Sequence, residues 1–198
     1  MESLPPPPAP VPDELPEPPP FVVIPAPPVR VPEPVAAPIR PTAVHLLLAG
    51  AETGVLGALL MMIWFALDSL VEQQHWWAIL NLWGAAIYGD AVFRMGLSKA
   101  SLAGGSLHVV LGGLAGAGSA LVLGRLRGFG KVLPAGLLLG ALWYVLLQHG
   151  LLRGLHPLIE RMTPQPATLL AHLLYAVMLT RIPGRGLCLA QHAPRNRD

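Results

Sequence analysis

Three stretches of the chain stay apolar long enough to cross a hydrocarbon core: 43–67, interrupted by one acid, Glu52, and then 102–124 and 132–152, neither of which holds an Asp, Glu, Lys or Arg. A fourth run, 167–180, covers only roughly 21 Å at 1.5 Å per residue. It predicts a span over 165–181 that takes in flanking residues and lets Arg161 and Arg181 snorkel to the two interfaces. None of these runs alternates apolar and polar positions with the period of two that a strand needs. The pattern therefore predicts an all-α fold, an integral membrane helical bundle with four transmembrane helices.

The stretch 76–93, "WWAILNLWGAAIYGDAVF", is apolar enough to cross but holds Asn81 and Asp90 and opens with adjacent tryptophans. Charge decides how it is read. If it crosses, the N-terminal side carries six Lys and Arg against seven on the other side; if it stays at one interface, the division becomes nine against four. The second division follows the positive-inside rule. It predicts four spans with both termini cytoplasmic and an interfacial helix over 76–93, where Trp76, Trp77, Trp83 and Tyr88 make an aromatic belt. Five spans is the alternative if the segment crosses.

Outside the spans the composition changes. Residues 1–42 hold 17 of the 23 prolines. Proline lacks an amide hydrogen and fixes its own φ, so this segment is predicted to be an extended or disordered arm, up to about 130 Å long if fully in polyproline II. No basic region followed by a short apolar core opens the chain, so the first span is expected to be an uncleaved anchor. The C-terminal 184–198 reads as a short basic tail, leaving 43–183 as the membrane domain. Lys and Arg cluster at helix ends, which suits lipid headgroups and orientation and gives no sign of nucleic-acid binding. Cys188 is the one cysteine, which excludes a disulfide or a thiol-ligated cluster within a single chain.

The spans carry small residues at helical spacing. Gly104, His108, Gly112, Gly116, Ala120 and Gly124 recur every four positions, Gly50, Gly54 and Ala58 repeat the device in the first span, and Gly136 and Gly140 do so in the third. Lipid gives helices no hydrophobic reason to pair, so contact depends on residues that let backbones approach. These glycines are the predicted helix-packing positions.

Polar groups at depth are the candidates for chemistry, because each is costly in the bilayer. His108 and His172 lie at comparable depth in the second and fourth spans, with His149 nearer the end of the third; alternating helix directions put all three towards one face. They are candidate ligands for a haem or a chlorophyll-type pigment, with the glycines beside His108 leaving room for a flat macrocycle. Interhelical hydrogen bonding is the plainer role. Glu52 is a candidate for proton or ion movement; its plainer role is a protonated carboxyl bonded to Thr53, Gln148 or a backbone carbonyl. Nothing in the sequence has the spacing of a metal motif such as HExxH or CxxCH. There is no GxSxG, and Ser106 beside His108 lacks an acid to orient the imidazole, so no enzymatic activity is expected.

The segments "WWAILNLWGAAIYGDAVFRMG", "GGSLHVVLGGLAGAG" and "GLHPLIERMTPQPATLLAHLLYAVMLTRIP" together resemble small polytopic membrane proteins of acidobacterial type, over roughly residues 44 to 184. That resemblance implies a bacterial inner-membrane protein and supplies no activity and no site residues. With the glycine faces and the arm, the expected function is that of a non-catalytic accessory subunit. It would pack its helices against other membrane-protein subunits of a respiratory or photosynthetic complex, with the arm as a strap and no cofactor of its own. The alternatives are a haem- or chlorophyll-binding electron-transfer subunit using the membrane histidines and a small transporter or proton conductor using Glu52.

Overall fold

The computed structural model describes residues 39–155 and 157–193. The arm predicted over 1–42 falls outside them except for its last four residues, as does the end of the C-terminal tail. Among the described residues all regular structure is helical. Four helices are long and apolar enough to cross a membrane: Ala43–Val71, Lys99–Leu123, Phe129–Leu151 and Gln165–His192.

The first helix, α1 (Ala43–Val71), starts at Thr42, whose side chain accepts from the His45 amide while the His45 ring accepts from the Thr42 amide. This reciprocal cap satisfies two amides that would otherwise have no partner at the helix start. After a short loop come α2 (Ala78–Tyr88) and a 3-10 turn over Gly89–Arg94. Gly89 adopts φ 68°, a left-handed value that costs glycine little, and so ends α2. Ser98 and Ser101 form the same kind of cap for α3 (Lys99–Leu123). Next are α4 (Phe129–Val145), which runs into a π-helical turn over Leu146–Leu151, and the short α5 (Leu152–Leu155) and α6 (Pro157–Met162). The chain closes with α7 (Gln165–Leu179) and α8 (Ile182–His192).

Glycines fix how these rods lie. A Cβ added to Gly54 would strike the Gly112 carbonyl, one on Gly50 the Gly116 carbonyl, and one on Gly112 the Ala58 methyl at 2.6 Å. Rising numbers on α1 meet falling numbers on α3, so the two helices are antiparallel and in backbone contact. The segment between them therefore returns to the end of the bundle it left. Gly104 is closed by the Leu80 carbonyl and Gly84 by the Ala100 carbonyl, so α2 lies antiparallel against the start of α3. On the far side, Gly136 and Gly140 of α4 meet Ala176 of α7.

The last span is longer than the 165–181 expected from hydropathy. Trp64 Nε1 donates to the Ala167 carbonyl at 2.9 Å, Gly57 lies under the Tyr175 ring, Glu52 pairs with Arg185, and Leu46 touches Gly186. The two helices α7 and α8 thus follow α1 antiparallel along most of its length. Residues 184–192, read from sequence as the beginning of a solvated tail, are helix packed on α1. Local hydropathy missed this because α8 presents Arg185 and Gln191 together with its apolar residues.

The aromatic belt also needs correction. Trp76 and Tyr88 are exposed and Trp77 is half-buried, but Trp83 is 7% exposed and sits in the core. All of Ile79 to Ala85 is buried, so this part of α2 is enclosed by protein on every side, and only its end, at Ile87 and Tyr88, is exposed. Asn81 shows why a polar residue fits there. Its amide nitrogen donates to the carbonyls of Val92, Met95 and Gly96, and its oxygen accepts from Ser101 at 2.5 Å. Outward positions such as Leu48, Ile63, Leu102, Leu114 and Leu138 are exposed, as helices that contact lipid require.

Candidate functional site

Three aromatic side chains fasten the bundle across helices, each through a polar tip. Trp64 reaches α7 as above, Tyr175 donates its hydroxyl to the Gly112 carbonyl of α3 at 2.6 Å, and Trp143 donates to Ser119 of α3 at 3.1 Å. Ser119 passes its own hydrogen to Ala115 within α3. Between these struts lies a pocket of about 60 Å³ whose walls include Met61 and Phe65 of α1, Trp83 of α2, His108 of α3, Trp143 of α4, Gln148 of the π-helical turn and His172 and Tyr175 of α7.

The walls are mostly apolar, which makes three of the polar atoms stand out. His108 Nε2, His172 Nε2 and Gln148 Oε1 are buried without a hydrogen-bond partner. No other side-chain polar atom among the described residues shares that condition, and all three residues line this one pocket. An unmade hydrogen bond at a buried group costs about 1–3 kcal/mol each. Three of them converging from three separate elements is a large sum against a fold's net stability of about 5–15 kcal/mol.

Each group is held from behind. The His172 Nδ1 is 2.9 Å from the Thr168 carbonyl one turn earlier. Gln148 donates its amide nitrogen to the Glu160 carbonyl at 3.1 Å. The His108 ring stacks on Trp83, centroids 3.9 Å apart and planes 7° apart, and engages the backbone of Ala58. The hydroxyls of Thr163 and Thr168 turn back to the carbonyls of Ile159 and Pro164 and so do not meet the free atoms. The π-helical turn matters here: Gln148 points inward from it while Leu146 before it and His149 and Leu151 after it stay exposed.

Of the histidines singled out in the sequence, the structure brings His108 and His172 together and leaves His149 apart. His149 is exposed, and its Nδ1 lies 3.2 Å from the Glu160 carboxylate. Gln148 takes its place at the pocket. Helical spacing does place Gln148 on the stripe of Gly136, Gly140 and Tyr144, but in the sequence it stood only as a possible partner for Glu52. The room beside His108 that a flat macrocycle would use is taken: Leu80 closes over Gly104, and Ala58 and Gly54 close over Gly112. Donor atoms available to a bound cation in this pocket are the two imidazole nitrogens and the Gln148 oxygen. No group of three or more His, Cys, Asp or Glu with ligand geometry occurs among the described residues.

Glu52 is not bonded to Thr53 or Gln148. Arg185 of α8 grips it from the side, Nη2 to Oε1 at 2.5 Å and Nε to Oε2 at 3.2 Å, while Thr53 donates to the Ala49 carbonyl. The pair is 39% exposed on both sides and lies away from the histidine pocket.

All eight packing glycines are in contact within the chain: Gly50, Gly54, Gly112 and Gly116 between α1 and α3, Gly104 under α2, Gly124 on Leu46, and Gly136 and Gly140 on α7. Their faces are filled by the chain's own helices. Compared with protein-family models, with curated proteins and with solved structures, the chain has no match.

Proposed function

We propose that this multi-pass membrane protein binds a small polar solute inside its helix bundle, in the pocket of His108, Gln148 and His172. One observation carries the reading: three buried polar atoms without partners, on three different elements, all line one cavity. Proteins retain such groups where a bound molecule supplies the missing bonds, because the unliganded fold is stabilised by removing them. The apolar lining supports a site that admits little water, and the rigid supports behind each group favour a preorganised one. The glycine stripes, which would serve an accessory subunit by packing against a partner, are occupied within the chain, so they lend that role no surface. Both ends of the membrane domain lie on the same side of the bundle, and the excess of Lys and Arg on that side supports placing them in the cytoplasm.

Replacing His172 by Leu tests the reading. A histidine that serves as interhelical glue is a structural bond, and its loss lowers the melting temperature in mild detergent. A histidine kept for a ligand leaves the melting temperature unchanged or raises it. A clear fall in the His172→Leu protein, repeated in Gln148→Leu, would remove the binding reading.

A further inference from the structure

The pocket has a chemical sign, which follows from where its hydrogens are already committed. This inference rests on the binding reading above. The Thr168 carbonyl can only accept, so the His172 Nδ1 holds the hydrogen between them, and the free Nε2 of the neutral ring presents a lone pair. The Glu160 carbonyl likewise fixes the orientation of the Gln148 amide: nitrogen towards Glu160, oxygen towards the pocket. Two of the three free atoms are therefore acceptors. A ligand that satisfies them must bring hydrogens and has little use for acceptors of its own. About 60 Å³ limits it to a few heavy atoms. Trp143 and Tyr175 are among the pocket's lining residues, and an aromatic ring beside a cation adds to its attraction.

A second cavity leads to the same chemistry. It is about 560 Å³, lies at the end of the bundle where α1 finishes, and is lined by Asp68 and Glu72, one turn apart on α1, with His75, Trp77 and Phe93. No Lys or Arg is among the residues that line it. A mouth of one sign raises the local concentration of the opposite charge. Phe65 lines both cavities, is 2% exposed, and packs T-shaped with Trp83, centroids 5.4 Å apart. Phe65 thus stands where the acidic outer chamber and the inner pocket adjoin.

We infer that the inner pocket takes ammonium or a small primary amine, which collects in the acidic chamber and passes Phe65 to reach His172 and Gln148. The test uses the full chain in nanodiscs and follows tryptophan fluorescence during titration with methylammonium chloride. Sodium chloride and tetramethylammonium chloride serve as controls, the latter having the same charge and no N–H. Methylammonium is expected to give a saturable change that neither control gives, with the apparent Kd raised at least tenfold in Gln148→Leu. An equal response to tetramethylammonium would show that charge alone is read and would overturn the donor requirement. Saturation by methanol or formamide with none by methylammonium would overturn the amine assignment and leave solute binding standing. Silence towards all three donors would count against both. These titrations on the unmodified chain decide the matter even where a variant does not fold.

Discussion

Trp83 lies flat on His108, with ring centroids 3.9 Å apart and planes 7° apart, and makes a T-shaped contact with Phe65. One indole thus joins α2 to both α1 and α3 and forms a wall of the histidine pocket. Truncation to Ala would empty the space between three elements, for which large aromatic deletions cost about 3–5 kcal/mol. Trp83→Phe keeps a ring and should cost clearly less. Unfolding in mixed micelles should rank wild type above Trp83→Phe above Trp83→Ala; an interfacial tryptophan of the kind the sequence suggested would tolerate both changes.

Neighbouring glycines on α3 should behave in opposite ways. A methyl on Gly116 meets the Gly54 Cα at 2.7 Å and the Gly50 carbonyl, so backbone must move. A methyl on Gly118 finds only the Trp143 ring at 3.7 Å, an ordinary contact. Gly116→Ala should therefore destabilise the bundle by about 1–3 kcal/mol. Gly118→Ala should be neutral or stabilise by up to about 1 kcal/mol, because Ala is the better helix former. Equal effects at both positions would mean that α1 and α3 do not touch here.

Asn81 links α2 to the turn before α3 through three carbonyls and Ser101. In Asn81→Leu those groups lose their partner inside an enclosed helix, at about 1–3 kcal/mol for each group that water does not reach. The turn over Gly89–Arg94 should loosen first. Trypsin cleavage after Arg94 or Lys99 is expected to quicken well before the helices unfold, and an unchanged digestion pattern would show that Asn81 does not hold the turn.

The spans and the packing glycines were readable in the sequence because both depend on local rules: apolar length against bilayer thickness, and small residues at a spacing of four. The partner of each glycine was not. Gly54 and Gly116 would look the same facing another subunit as facing each other. Trp83 was misplaced because tryptophans near span ends usually mark an interface, and only the close fit of α2 on α3 at Gly84 and Gly104 draws this one inward. Counting residues set His108 and His172 at comparable depth and Gln148 on the stripe of Gly140 and Tyr144, but that the three line one pocket depends on how α3, α4 and α7 pack, which no local spacing announces. Arg185 looked like part of a basic tail. Its bond to Glu52 spans 133 residues, and only the direction of α7 and α8 along α1 brings the two together.

That ion pair sets the last expectation. Glu52 and Arg185 meet through two hydrogen bonds on the flank of α1, the geometry in which a guanidinium is most selective for a carboxylate. Removing either partner leaves its mate as a lone charge on a helix with apolar neighbours, whereas removing both leaves none. Glu52→Gln and Arg185→Gln should each release α8 from α1, seen as faster trypsin cleavage after Arg181, and the double variant should be less affected than the two single effects combined. Exchanging the residues, Glu52→Arg with Arg185→Glu, should restore protection. If Glu52 served proton movement instead, the double variant would abolish flux in proteoliposomes and the exchanged pair would not recover it; with the ion pair as a fastening, flux is the same in all four proteins and only the attachment of α8 changes.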